Sequence, residues 1–180
     1  MSQRFRPTDA FVDESVRGRR YLMGCVLIEA RHLSAVRSET AALAADGKRR
    51  HFSHDTPEQR RDALRVFADF PVRAFVTVCA RTHGVTEFAA RAACLSEIVR
   101  RLQALEVPRL IIESRQNDRE DQVSIQRVRS AEPLLVFEHV EPLGEPILWI
   151  ADAVTWAIGA GAPWSTLVER IVAEVVEVRP

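Results

Sequence analysis

The chain has 180 residues, of which 47% are hydrophobic, and 25 Lys plus Arg stand against 25 Asp plus Glu. That length suits one domain with one sizeable core. Balanced charge excludes a global electrostatic pull toward nucleic acid or an anionic membrane, leaving such contacts to local patches, and no apolar run is long enough to cross a bilayer.

Ala10-Phe11-Val12 reads as a short strand stopping at Asp13-Glu14-Ser15. Gly18 turns the chain at Val16–Arg20, and Tyr21–Ile28 returns as a second strand, so the pair is a hairpin. Residues 30–46 have helical leucine spacing with Gly47 placed as a C-cap. Arg49–His54 is assigned as a third, edge strand. Thr56-Pro57-Glu58-Gln59 combines an N-cap, a first-turn proline and a capping-box glutamine, which starts a helix running to about Asp69. Pro71 marks the break. A strand over Val72–Cys79 and a helix over Thr86–Leu105 follow. Next come an apolar strand at Leu110–Ile112 ending at Glu113, a helix over 119–131 and a strand over Leu134–Val140. Pro146 opens an apolar helix over Ile147–Ala160, and the tail 165–180 suits either strand or helix. A hairpin followed by alternating helices and strands predicts an α/β fold, a mixed sheet with helices on both faces.

The three cysteines, Cys25, Cys79 and Cys94, lie in apolar segments and read as buried thiols of a reducing compartment. The first residues carry no secretory-type apolar run. A cytoplasmic protein is the expectation.

Two apolar strands run into a carboxylate, Val12 into Asp13 and Ile112 into Glu113. Ligands of such sheets collect at the carboxyl ends of parallel strands. An acid there either reaches water where the strand stops or serves a site, because burying its charge unpaired is costly. Asp152 is the third candidate. Ile147, Ile150, Ala151, Val154 and Ile158 share one helix face, and Trp149 and Trp156 flank Asp152 on the other. A helix apolar almost all round is normally buried, so its single carboxylate needs a partner, a window to solvent or a function. Three such acids brought together would suit Mg2+ or Mn2+, which prefer hard oxygen ligands and support phosphodiester hydrolysis.

The same segments resemble a known family. Phe11-Val12-Asp13-Glu14-Ser15 is similar to the "DES" start of the domain-of-unknown-function family numbered 3800. Ile150-Ala151-Asp152-Ala153-Val154-Thr155-Trp156 resembles its C-terminal helix, although Trp149 stands where the family usually has a glutamine or similar residue. Leu110-Ile111-Ile112-Glu113 resembles its middle strand, which commonly ends in aspartate. The resemblance implies a single ribonuclease H-like domain over 1–180, with an acidic Mg2+ or Mn2+ site made by Asp13, Glu113 and Asp152. Such a site generally has a fourth acid. Asp118 and Asp121 are the nearest in sequence, and Asp118 is taken as the further metal ligand, although acids in the first turn of a helix are also expected from its dipole.

Arg17, Arg19 and Arg20 on the hairpin are candidate phosphate ligands, and Lys48-Arg49-Arg50-His51 could extend their patch. Trp164 and the apolar tail suit closure of the core or a homo-oligomer contact. The implied function is a metal-dependent nuclease acting on RNA, DNA or a hybrid. The alternative is a non-catalytic nucleic-acid- or protein-binding module on the same scaffold, suggested by the missing fourth acid, Trp149 and the zero net charge.

Overall fold

The computed structural model describes residues 5–44, 52–115, 118–141 and 143–180. Six strands, β1 (Asp9–Arg17), β2 (Arg20–Ile28), β3 (Val72–Ala80), β4 (Arg109–Glu113), β5 (Val136–Val140) and β6 (Val172–Val178), form one sheet in the order β5-β4-β1-β2-β3-β6. The β1–β2–β3 unit is antiparallel, whereas β4 joins β1, β5 joins β4 and β6 joins β3 in parallel. Five helices cover it: α1 (Ala30–Ala42), α2 (Pro57–Ala68), α3 (Glu87–Ala104), α4 (Asp118–Val128) and α5 (Ile147–Ala160). Among the described residues no helix is long and apolar enough to cross a membrane.

Strand alternation separates two cores. Phe11, Leu22, Val26, Val76 and Ile111 pack with residues of α1, α2 and α5 on one face. Ala10, Val12, Met23, Cys25 and Ile112 pack with residues of α3 and α4 on the other. Successive strand residues point to opposite faces, so each carboxylate's side follows from its neighbours. Asp13 and Glu113 share the α5 face with Phe11 and Ile111.

The expected hairpin forms around Gly18, whose φ of 56° is the left-handed conformation that glycine tolerates. Thr56 and Gln59 form the reciprocal capping box, with Pro57 opening α2. Cys25, Cys79 and Cys94 are buried free thiols.

Two expectations need correction. The first strand does not stop at Val12. It pairs with β2 as far as Arg17 but with β4 only over Asp9–Val12, so Asp13 lies inside a strand at the point where one of its two neighbours ends. Over its described residues the predicted edge strand is also not one. Phe52–His54 is a 3-10 turn, because Phe52 is buried against Trp156 with ring centroids 5.3 Å apart and its backbone bonds to side chains rather than to a ladder. Its N–H donates to Asp152 and its carbonyl accepts from Arg60. The remainder of that segment, with Lys48-Arg49-Arg50-His51 and the proposed Gly47 cap, lies outside the described residues. The tail, for which the sequence leaves strand and helix open, divides into a 3-10 turn at Ser165–Val168 and edge strand β6.

Helix α5 lies unusually close to the sheet. Gly24 is the β2 partner of Asp13, and a Cβ there would fall 2.0 Å from Thr155 Oγ1 and 3.3 Å from the Ala151 carbonyl. Thr155 Oγ1 donates to Ala151 O at 2.6 Å and lies 3.4 Å from Asp13 O. A side chain at position 24 would lift the helix from the strand that carries Asp13. Glycine at this position therefore sets how near Asp152 comes to the sheet.

Candidate active site

The site forms where β4 ends beside β1. Asp13 is 1% exposed and Glu113 3%, on adjacent parallel strands one residue beyond the last β1–β4 pair, Val12 with Ile112. Asp152 reaches the same place from α5, half-buried, with its Oδ2 accepting from the Phe52 N–H at 3.2 Å. Burial pushes the Asp13 carboxyl well above its ordinary range. The neighbouring charges of Asp152, Glu113 and Glu14 push it further, in that order, and a hydrogen bond with Glu113 favours the protonated form. The three acids picked from the sequence thus interact electrostatically, two from the sheet and one from the helix above it.

Arg115, just past the end of β4, is the counter-ion of the two strand acids. Its Nη2 donates to Asp13 Oδ1 at 3.1 Å and lies 3.6 Å from Glu113 Oε1, while Nη1 lies 3.0 Å from Glu14 Oε1. Glu14 points to the other face of the sheet, where Arg91 Nη1 meets its Oε2 at 2.8 Å. Arg91 is buried on α3, donates to both carboxylate oxygens of Asp121 at 2.7 and 2.6 Å, and reaches the Tyr21 hydroxyl at 2.9 Å. His139 Nε2 lies 3.2 Å from Asp121 Oδ2. A buried ion network therefore backs the carboxylate cluster from the opposite face.

Asp118 takes a different position from the three acids. Its Oδ2 accepts from Ser114 Oγ at 2.8 Å and its Oδ1 from the Arg115 N–H at 2.9 Å, so it braces the turn that carries Arg115 at the start of α4. Asp121 is bound to Arg91. The acid nearest the cluster that the sequence argument did not select is Glu14, adjacent to Asp13 and sharing Arg115 with it. The hairpin arginines lie farther along β1 and β2. Arg17 sits over Trp156, with 4.8 Å from its guanidinium carbon to the ring centroid. Arg20 Nη2 donates to Gly159 O at 2.8 Å, and Arg19 is exposed, its carbonyl accepting from the Arg81 N–H.

The donor set fits a hard divalent cation. It consists of carboxylate oxygens, and the crowding that forces Asp13 toward its protonated form is the crowding a cation would relieve. The geometry is not a closed cage. Among the described residues no three acidic, imidazole or thiol side chains are grouped closely enough to hold a metal, and Arg115 supplies the positive charge among them.

No protein-family profile matches the sequence, and no curated protein does. Solved structures do match. One is ribonuclease H2 from Pyrococcus horikoshii, with a TM-score of 0.56 and 17% identity over 82% of this chain and 70% of that one. Another is Bst-RNase HIII in complex with Mn2+, with a TM-score of 0.55 and 12% identity over 86% of this chain and 52% of that one. This chain therefore spans about half the length of the second enzyme. The mixed sheet with helices on both faces is a ribonuclease H-like fold.

Proposed function

We propose that this chain is a divalent-cation-dependent nuclease that hydrolyses phosphodiester bonds of RNA, DNA or a hybrid. What supports the proposal is the placement of Asp13 and Glu113 side by side where the β1–β4 pairing ends, with the charge of Asp152 acting on Asp13 from α5, on a fold whose solved neighbours are ribonucleases. Asp13, Glu113 and Asp152 would hold Mg2+ or Mn2+, with Asp118 the further ligand if the turn that it braces reopens. Such a cation supplies Lewis-acid polarisation of a phosphodiester oxygen and acidifies water. Asp13 and Glu113, buried on rigid adjacent strands, fix the position of the charge. Asp152, at the surface of the cluster, is the carboxylate that water and substrate reach first. Arg115 holds the acids together while they carry no other cation and then offers its guanidinium to a phosphate oxygen. Arg17, Arg19 and Arg20 lie on the same hairpin for phosphate contacts.

Incubation of the protein with labelled single strands, duplexes and hybrids is expected to give Mn2+-dependent cleavage that EDTA stops. Full activity in EDTA, or none on any of these substrates with Mn2+ or Mg2+, overturns the proposal. One observation favours the alternative, a non-catalytic binding module. Arg115 already pairs with Asp13, Glu14 and Glu113 in an internal ion cluster, and nucleic-acid binding without hydrolysis would be its signature.

A further inference from the structure

Four arginines converge on the C-terminal half of α5 from three elements. Arg17 (β1) and Arg60 (α2) stand over the Trp156 ring, with 4.8 and 4.5 Å from guanidinium carbon to centroid, and Arg61 (α2) stands 5.9 Å from the Trp164 centroid. The two indoles meet edge to face at 5.4 Å. Arg20 joins them through its bond to the Gly159 carbonyl. Gly159 makes room for this arrangement, since a Cβ there would come 3.0 Å from Arg17 Cγ.

Among the described residues none of the four has a carboxylate within ion-pair distance, whereas neighbouring arginines do. Arg65, one turn beyond Arg61 on α2, sits beside Asp62, and Arg170 pairs with Asp69. Like charges are gathered here beyond ion-pair distance of the described acids, and the indole faces hold Arg17, Arg60 and Arg61 in place. A stacked guanidinium keeps its in-plane N–H edge for a second partner, and that edge matches phosphate. Arg60 donates Nε and Nη2 to the Phe52 and Ser53 carbonyls, which makes it the member that orders the ring. Arg17 and Arg61 keep the freest edges.

Position gives the patch its direction. Trp156 follows Asp152 by one helical turn, and Gly159 lies about 10 Å beyond Asp152 along the helix, the rise of about three nucleotides of one strand. Resting on the nuclease function proposed above, we propose that Arg17, Arg20, Arg60 and Arg61, ordered by Trp156 and Trp164, form a phosphate-binding track that carries one nucleic-acid strand along α5 into the carboxylate site.

The test is fluorescence anisotropy of a fluorescein-labelled DNA·RNA hybrid in EDTA, across a KCl titration. The exposed α4 pair R119Q/R127Q removes the same charge from another surface and serves as control. Each phosphate contact contributes about 0.9 to the slope of log K against log salt, so R17Q/R61Q is expected to flatten the slope by about two and weaken binding about tenfold at moderate salt. The control is expected to leave both unchanged. If R17Q/R61Q does not fold, R61Q alone, at an exposed position, is expected to flatten the slope by about one. Equal losses in the two double variants, an unchanged slope in R17Q/R61Q, or no binding by the wild type overturns the track. Mn2+-dependent cleavage separates this failure from that of the nuclease proposal. Cleavage with an unchanged slope removes only the track, and track-dependent binding without cleavage of any substrate removes only the catalysis.

Discussion

Asp13→Asn is expected to lower Mn2+-dependent hydrolysis at least about a thousandfold, the equivalent of ~4 kcal/mol of transition-state stabilisation, while raising the thermal midpoint of the metal-free protein. The activity loss follows from position. Asp13 is the most enclosed of the three acids, and the charges of the other two both act on it. The stability gain follows from the same crowding. Burial, then the charges of Asp152, Glu113 and Glu14, push its carboxyl above the ordinary value of 3.8. A raised folded-state value means that the folded protein holds this proton more tightly than the unfolded chain does. Stability from this group therefore falls as pH rises from the ordinary carboxylate range to the raised one, and the penalty persists at neutral pH. The asparagine variant carries no such charge. Circular dichroism melts at pH 7 in EDTA, beside cleavage assays in Mn2+, check both halves. A variant that loses activity only because it unfolds, or one that keeps full activity, contradicts the assignment.

Asp121→Ala should have the opposite character, with stability lost first and activity lost as a consequence. Burial alone would raise the Asp121 carboxyl, but the hydrogen bonds from Arg91 and His139 outweigh it and hold it below its ordinary value. Its removal leaves the Arg91 guanidinium, 4% exposed, with Glu14 as its remaining carboxylate. Breaking a buried pair by deleting one partner costs about 3–5 kcal/mol, which at this chain length lowers the melting midpoint by about 10 °C. A depressed value stabilises the fold above the ordinary carboxylate range, and that contribution is lost as pH falls through the depressed value. The gap between wild type and variant should therefore be widest near pH 7 and narrow under acid. Equal midpoints at neutral pH would mean that Arg91 is held by Glu14 and Tyr21 alone.

The elements legible in the sequence were those whose signals are local. The Gly18 hairpin, the Thr56-Pro57-Glu58-Gln59 start of α2 and the apolar α5 all form where expected, because turn geometry, capping and helical periodicity are decided within a few residues. Asp13, Glu113 and Asp152 were legible as charges set in apolar surroundings. That they interact follows from strand order and from the depth at which α5 settles on Gly24, and neither is encoded in any one segment.

The errors have the same origin. Strand β1 continues past Val12 because β2 still pairs with it, and the acid-rich Asp13-Glu14-Ser15 gave no local sign of that support. The Phe52–His54 turn is set by Asp152 and Arg60, which are distant or on another element. Arg115, Arg91 and Glu14 were missed because an arginine or glutamate beside a loop or on a helix normally reads as solvated surface. Their partners come from other strands and helices. The one available signal was Glu14 itself, adjacent to Asp13 at the end of an apolar run.

Diffraction from crystals soaked in MnCl2, recorded for manganese anomalous signal, tests for the metal at Asp13 without need of a substrate. A peak is expected within coordination distance of Asp13 and at least one of Glu113 and Asp152, with Arg115 displaced from Asp13. Crystals soaked with Mn2+ and an oligonucleotide that show no peak there, with Arg115 still paired to Asp13 and Glu14, would contradict the metal site and leave the cluster as a structural ion network.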